Sequence, residues 1–206
     1  LMNGRLETAQ TWEAGMSEIG QRVQEDDKKK QTNAALWTDL IVKKKVGYLA
    51  LLRNIRNILQ FDLSEDILLM VSDQLTDEGS IKRSMIFPFQ LQIAYDVISQ
   101  LDLPHVRMFM QTLNKAAEIS LNNVPLFPGD TLIAMDLSGS MTAAVGTLTA
   151  AQVGGLFAAS LWKSNPGSDL MVFGSDALYW DTKILDNGLF NIAEMLSKCE
   201  MGGTNF

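Results

Sequence analysis

Residues 132–140 read Leu-Ile-Ala-Met-Asp-Leu-Ser-Gly-Ser, an apolar run that ends in an Asp-x-Ser-x-Ser pattern. The apolar part predicts a buried strand, and the polar part predicts a tight loop at its carboxyl end. Asp136, Ser138 and Ser140 place one carboxylate and two hydroxyl groups on that loop. Oxygen atoms of this kind are the ligands that Mg²⁺ and Mn²⁺ prefer. The stretch therefore predicts an α/β unit with a site for a divalent metal.

The residues that follow continue an α/β pattern. Strands and helices are predicted at 131–135 (strand), 148–162 (helix), 170–173 (strand), 177–180 (strand) and 189–199 (helix). This alternation favours a parallel sheet, in which ligands bind beyond the carboxyl ends of the strands. Further along the chain comes Gly202-Gly203-Thr204. A threonine that reaches the Asp-x-Ser-x-Ser loop from another loop would add a fourth oxygen ligand.

Other interpretations of this loop compete with a metal site. Ser138 and Ser140 also suit the N-terminus of a following helix, where hydroxyl oxygens accept hydrogen bonds from free N–H groups. A nuclease with the usual pair of metal ions needs more than the one carboxylate of this motif. A Ser-His-Asp triad would need His105, the single histidine, to come from the helical part of the chain. The residues therefore favour a binding role over a hydrolytic one.

The first part of the chain, about 125 residues, carries helical rather than strand periodicity. Helices are predicted from a start near residues 8–13 and then at 34–42, 46–59 and 64–75, in a segment that joins Ile81, residues 87–89 and residues 93–101 (entered through Pro88), and at 104–119. Short helices joined by short turns favour a helical-repeat (HEAT-like) stack. Residues 122–129 hold two prolines and a glycine, which predicts a domain boundary. The predicted domains are 1–127 and 128–206.

The charge of the chain is unevenly distributed. The net charge is −7, and residues 130–206 hold three basic residues against eight acidic ones. Residues 28–56 instead hold one acid, Asp39, and eight basic residues: Lys28, Lys29, Lys30, Lys43, Lys44, Lys45, Arg53 and Arg56. Because phosphate contacts depend on local charge, these eight are candidate RNA-binding residues. The alternatives are solvated helix ends and, for the two arginines, ion pairs with Asp62 or Asp66.

The sequence also bears on the compartment. A single cysteine, Cys199, excludes an internal disulfide and favours a reducing, cytoplasmic location. The apolar stretch 145–162 is interrupted by glycines and polar residues, so no membrane span is predicted. The first residues do not show the pattern of a signal peptide.

Several segments, taken in order, resemble the Ro autoantigen family, in which a TROVE domain precedes a von Willebrand factor A domain. They are Thr11-Trp12-Glu13, Leu36-Trp37, residues 47–58, Phe87-Pro88-Phe89, residues 133–141, residues 172–176 and Gly202-Gly203-Thr204. The run Leu51-Leu52-Arg53-Asn54-Ile55-Arg56-Asn57 is the most specific of them. The family's helical domain is longer upstream, and its A domain continues to a second metal-site aspartate. Both domains are therefore expected to be partial in this chain.

The resemblance implies a non-enzymatic RNA-binding protein that acts as a scaffold in RNA quality control. Its expected partners are small structured non-coding (Y-type) RNA, misfolded RNA ends and an exoribonuclease. The positions that match the family's metal-ion-dependent adhesion site are Asp136, Ser138, Ser140 and Thr204. The alternative function is a protein-interaction module, in which a partner's carboxylate completes the shell of Mg²⁺ or Mn²⁺ at this loop.

Overall fold

The computed structural model describes Ala14, residues 26–199 and residues 201–203. Three features named in the sequence lie outside the described residues: the predicted helix start near residues 8–13, Trp12 and Thr204. The first half is helical, as predicted, with elements α1 (Asp26–Val42), α2 (Tyr48–Gln60), α3 (Glu65–Leu75), α4 (Glu78–Arg83), α5 (Pro88–Ser99), α6 (Val106–Ser120) and a 3-10 turn at Leu121–Asn123.

Helix α2 shows how the apolar pattern specifies this half. Its buried apolar side chains recur three or four residues apart and are Leu51, Leu52, Ile55, Ile58 and Leu59. Burial of each such side chain contributes about 1.5–3 kcal/mol relative to exposure. Arg53 and Arg56 occupy the opposite, exposed face. The Tyr48 hydroxyl donates a hydrogen bond of 2.7 Å to the Leu75 carbonyl, which ties α2 to α3.

Two helical predictions needed correction. Helix α1 begins at Asp26, eight residues before the predicted start at Ala34. The prediction missed its first two turns because their residues are polar and show no apolar stripe. Helix α4 was not predicted as a separate helix, because six residues are too short for a periodic pattern, and its Ile81 was assigned to the helix entered through Pro88. The N-cap residue of α4 is Asp77, whose Oδ1 accepts a hydrogen bond of 2.7 Å from the Ser80 N–H. Hydrogen bonding to Ser80, first to its side chain and then to its N–H, lowers the pKa of Asp77. The HEAT-like repeat stays a prediction.

The second half alternates strands and helices. Its elements are β1 (Leu132–Asp136), a 3-10 turn (Gly139–Thr142), β2 (Ala144–Val145), β3 (Leu148–Thr149), α7 (Ala150–Ser164), β4 (Asp169–Phe173), β5 (Ala177–Tyr179), a 3-10 turn (Thr182–Asp186) and α8 (Leu189–Ser197). Strands β1 and β4 are parallel, with Asp136 opposite Phe173, and α7 crosses between them. The predicted βαβ arrangement is therefore present.

The sheet is mixed rather than wholly parallel. Strand β5 runs antiparallel to β4, with Met171 opposite Tyr179, which corrects the predicted parallel sheet. The three residues between these strands turn the chain back, with a hydrogen bond of 2.8 Å from the Gly174 N–H to the Asp176 carbonyl. So short a link can join only antiparallel strands, since parallel strands need a long crossover.

The segment at 122–129 is held against both halves. The Asn123 amide donates to the Ile86 carbonyl at 2.7 Å in the helical half. The Asn165 side chain, at the end of α7, accepts from the Phe127 N–H at 2.7 Å. Buried apolar residues of both halves also belong to one contiguous cluster. The division into domains 1–127 and 128–206 remains a prediction.

Among the described residues, no helix has the length and apolar character needed to span a membrane.

Candidate metal centre and nucleic-acid interface

The metal loop, residues 136–140, begins where β1 ends. Asp136 is half-buried, and its Oδ1 accepts a hydrogen bond of 2.8 Å from the Ser138 N–H. Such a side-chain bond to the backbone two residues on is a common turn of Asp and Asn. It holds the carboxylate above the loop and leaves Oδ2 for another ligand.

The two serine hydroxyls of the metal loop lie side by side. Ser138 Oγ and Ser140 Oγ are 3.2 Å apart. Oxygen ligands of octahedral Mg²⁺ lie about 2.0–2.1 Å from the ion, which separates neighbouring ligands by roughly 3 Å. The two hydroxyls therefore have the spacing of neighbouring ligands of such an ion, and Asp136 adds a carboxylate of matching donor chemistry.

The capping interpretation of the two serines is wrong. Neither hydroxyl caps α7, which begins ten residues after Ser140. Thr149 caps that helix instead, with its Oγ1 accepting from the Gln152 N–H at 3.2 Å. The Gln152 Oε1 accepts in return from the Thr149 N–H at 2.7 Å. The Ser138 and Ser140 side chains are therefore not needed for the helix.

The Gly202-Gly203 segment reaches the metal loop, as the sequence predicted. The Gly139 N–H donates to the Gly202 carbonyl at 2.9 Å. Ser175, in the turn after β4, donates its N–H to the Met201 carbonyl at 2.7 Å and its hydroxyl to the Gly203 carbonyl at 3.1 Å. Three loops thus meet at the carboxyl ends of β1 and β4. Thr204, the predicted fourth ligand, lies just past the last described residue.

Two glycines make this meeting of loops sterically possible. A β-carbon on Gly174 would lie 2.5 Å from the Met201 carbonyl oxygen, which is closer than real β-carbons approach. Gly202 has a φ of +70°, a conformation that favours glycine, and its β-carbon would lie 2.8 Å from the Ser175 hydroxyl. No cluster of three or more His, Cys, Asp or Glu occurs in the described part of the chain, so a site here depends on hydroxyl oxygens.

The basic residues divide into two groups along α1. Lys28 and Lys29 fall in its first turn, with side chains outside the described residues, and Lys30 is exposed. Lys43, Lys44 and Lys45 form the exposed turn after the helix, here called the basic turn. At 1.5 Å per residue, the helix separates the two groups by roughly 20 Å. Lys43 also pairs with Asp39, with their charged atoms 2.5 Å apart.

Arg53 and Arg56 lie one turn apart on the exposed face of α2. Within the described ranges, neither forms an ion pair with Asp62, Asp66 or any other acid. The structural alternative for these two arginines, an ion pair with a nearby acid, is therefore not observed. Both guanidinium groups are available to a ligand.

Sequence reasoning missed a cleft of about 720 Å³ between the two halves, here called the junction cleft. Its walls come from α5 and α6 on one side and from the α7 N-terminus and α8 on the other. Its side chains include Tyr95, Asp96 and Phe190. No motif signals such a site, because four separate helices contribute one to five residues each.

Comparisons with known proteins agree on the helical half. The TROVE domain family model matches residues 5–133. Telomerase protein component 1 of Rattus norvegicus and that of Mus musculus are each 31% identical over 98 residues, which is 48% of this chain and 3% of theirs. The crystal structure of the Deinococcus radiodurans RO (RSR) protein aligns with a TM-score of 0.62 at 20% identity, over 86% of this chain and 41% of that one. At this identity the alignment shows a shared fold.

Proposed function

The chain belongs to the TROVE domain family, and we propose that it binds RNA through its helical half. The observation that carries this proposal is the exposed pair Arg53 and Arg56 on α2, which has no acidic partner among the described residues. Arginine on a solvated helix face is suited to phosphate, which it binds through two parallel hydrogen bonds. Phosphate contacts dominate the affinity of proteins for nucleic acids.

The basic turn extends this surface. Lys43, Lys44 and Lys45 are exposed at the end of α1, a few residues before α2 begins. The second half carries the opposite charge, since residues 130–206 hold three basic residues against eight acidic ones. The RNA backbone is therefore expected to follow α1 and α2 rather than the sheet.

A more specific proposal concerns the kind of RNA that the chain binds. We infer from the resemblance to Ro proteins that the ligands are small structured (Y-type) RNAs and misfolded RNA ends. The chain would act as a scaffold in RNA quality control, with an exoribonuclease as a partner. It spans 3% of the telomerase relatives and 41% of the Deinococcus chain, so the activity of a whole relative is not carried over to it directly. We propose the cytoplasm as its compartment.

The proposed role is binding rather than catalysis. His105, the single histidine of the sequence, is exposed at the N-terminus of α6, in the helical half. The metal loop, with Ser138, follows the first strand of the other half. The polar residues of this loop are thus suited to hold an ion and a ligand, and no histidine belongs to the loop to act as a base.

A second candidate function is supported by the spacing of the serine hydroxyls. We propose that Asp136, Ser138, Ser140 and Thr204 hold Mg²⁺ or Mn²⁺. A bound cation would supply positive charge for a carboxylate or phosphate oxygen of a partner. Asp136 would contribute the one anionic ligand, and the Gly139 hydrogen bond to Gly202 would keep the loops together. In this alternative the chain is a protein-interaction module.

The test is a binding titration with a small stem-loop RNA that carries a single-stranded 3′ end. The triple variant Lys43→Gln/Lys44→Gln/Lys45→Gln is expected to weaken binding and to lower the salt-dependence slope by roughly 2–3, at 0.7–0.9 per lost phosphate contact. The control Lys82→Gln/Lys115→Gln/Lys183→Gln removes the same charge at exposed positions elsewhere. Equal losses in both triple variants would contradict the proposed interface. Asp136→Ala is expected to spare RNA binding and to abolish capture of a protein partner at the metal loop.

A further inference from the structure

The junction cleft combines amide, carboxyl and aromatic groups from elements far apart in the sequence. Its volume is about 720 Å³, which is ample for a nucleoside. The side chains that bring these groups into the cleft include Gln92, Tyr95, Asp96, Asn114, Gln152 and Phe190. None of them belongs to a motif that the sequence analysis singled out.

The amide groups of the cleft are held in place and still have free hydrogen-bonding atoms. Gln92 donates from Nε2 to Asp96 Oδ1 at 2.7 Å, and Asn114 donates from Nδ2 to the Met110 carbonyl at 3.0 Å. The carbonyl oxygens of both amides therefore remain available as acceptors. Gln152 uses Oε1 in the α7 cap, so its Nε2 remains available as a donor. Fixed donors and acceptors of this kind suit the edge of a planar heterocycle.

The aromatic pair supplies a surface for stacking. The Tyr95 and Phe190 rings meet edge to face, with centroids 5.1 Å apart and an interplanar angle of 61°. Phe190 is buried and holds the half-buried Tyr95 ring from one side. Unpaired RNA bases bind proteins by stacking on such rings and by hydrogen bonds to their edges.

Asp96 determines which base suits the cleft. It is half-buried and forms no ion pair in the described part of the chain. Burial raises the pKa of its carboxyl, while the Gln92 hydrogen bond acts in the opposite direction. A carboxylate in this position can accept two hydrogen bonds at once from a neutral ligand that has two adjacent N–H donors. Among the RNA bases, guanine alone offers that pair on its Watson–Crick edge, at N1 and at the N2 amino group.

The cleft also continues towards the metal loop. Thr142, Ala151, Ser197 and Lys198 line both the junction cleft and a neighbouring cavity of about 440 Å³. That second cavity reaches Ser138. A nucleotide whose base lies in the cleft therefore has room for its backbone to leave along this path.

We propose that the junction cleft binds an unpaired guanine of single-stranded RNA, with the guanine N1–H and N2 amino group donating to Asp96 and the base stacking on Tyr95. This inference rests on the proposed RNA-binding function and adds a base preference to it. The basic face of α1 and α2 supplies affinity for any sequence, and the cleft supplies selectivity.

The experiment compares two short uridine oligomers that differ at one central nucleoside, which is guanosine in one and inosine in the other. Inosine lacks only the N2 amino group, so the ratio of the two dissociation constants reports the bond to Asp96 and is independent of overall charge. The wild type is expected to prefer guanine about tenfold, in the range of a good bidentate base contact. Asp96→Asn is expected to lower that ratio to about one, because an amide replaces one acceptor oxygen with a donor.

The matched control is Asp73→Asn, which removes one exposed carboxylate on α3. It is expected to keep the tenfold preference, and thermal melting is used to check that both variants fold. A wild-type ratio near one, or a tenfold preference that survives Asp96→Asn, would overturn the guanine site while leaving general RNA binding intact.

If neither oligomer binds the wild type, the stem-loop titration decides whether the proposed RNA-binding function fails, and the cleft is then tested separately. Guanosine 5′-monophosphate and inosine 5′-monophosphate are titrated while the side-chain amide NMR signals of Gln92 and Asn114 are followed. Larger shifts with the guanine nucleotide would support the site independently of RNA. Equal shifts, or none, would overturn it.

Discussion

Glu118 of α6 and Lys163 of α7 form an ion pair across the junction of the two halves, with Oε2 and Nζ 3.1 Å apart. The Lys163 side chain is 14% exposed and also donates to the Asn187 carbonyl at 2.7 Å. The other Glu118 oxygen accepts from the Leu189 N–H at 2.7 Å, at the start of α8. This carboxylate therefore fixes two elements of the second half against the first half.

Replacement of Glu118 is expected to destabilise the protein. Glu118→Ala leaves the Lys163 ammonium largely buried without its counter-ion and the Leu189 N–H without its acceptor. A loss of about 1–3 kcal/mol in the free energy of unfolding is expected in urea titrations. The control is Glu194→Ala, which breaks the exposed pair with Lys198 and is expected to cost below about 1 kcal/mol. Equal losses would mean that the pair at the junction is no stronger than a surface pair.

Removal of the two α2 arginines is expected to weaken RNA binding without changing stability. Arg53→Gln/Arg56→Gln removes two exposed cations that have no acidic partner among the described residues. The salt-dependence slope of stem-loop RNA binding should fall by roughly 1.4–1.8, at 0.7–0.9 per phosphate contact. The melting temperature should stay the same. Arg107→Gln/Lys115→Gln makes the same charge change on α6, and an equal fall in slope there would argue for a diffuse charge effect.

Asp96 gives stability a defined pH dependence. Burial raises the pKa of this carboxyl in the folded protein, so the folded state holds its proton to a higher pH than the unfolded state. The wild type therefore loses stability as pH rises from the unfolded pKa through the folded pKa. Asp96→Asn, which stays neutral, should be more stable than the wild type at pH 7. This difference in stability should shrink as the pH falls towards the pKa of Asp96 in the unfolded chain. A difference that is the same at every pH would contradict this assignment.

Gly174 is expected to be essential for the meeting of loops at the metal loop. Gly174→Ala places a β-carbon against the Met201 carbonyl and should cost about 1–3 kcal/mol, the usual range for overpacking at a tight site. Gly167→Ala is the control, because a β-carbon at Gly167 meets nothing within 4 Å. Urea unfolding of both variants checks the prediction, which fails if their stabilities are equal.

Binding of Mn²⁺ tests the proposed metal site. Asp136→Asn removes the carboxylate of the metal loop and is expected to lower Mn²⁺ affinity at least tenfold, measured by electron paramagnetic resonance of the free ion. Asp169→Asn removes a carboxylate at the other end of the sheet, where Asp169 lies opposite Leu132. An equal effect of the two substitutions, or an absence of Mn²⁺ binding by the wild type, would remove the metal from the proposal.

The sequence by itself determined features that depend on near neighbours along the chain. The spacing of Leu52, Ile55 and Ile58 predicted a helix with Arg53 and Arg56 on its remaining faces, since helical geometry alone brings residues three or four apart together. The apolar run before Asp136 likewise predicted the strand β1 and the turn at its end. The approach of Gly202 to this loop was expected from the resemblance to the Ro family, which extends over nearly the whole chain.

Only the tertiary structure decided what distant residues form together. The direction of β5 follows from a three-residue turn, whereas a periodic pattern reports burial and not strand direction. Glu118 accepts from a backbone N–H 71 residues away, and the junction cleft takes most of its residues from four helices. Such contacts leave no local signal, because polar residues such as Asp96 and Asn114 have the same pattern on any solvated helix. Only the packing of the two halves brings these residues together in one cleft.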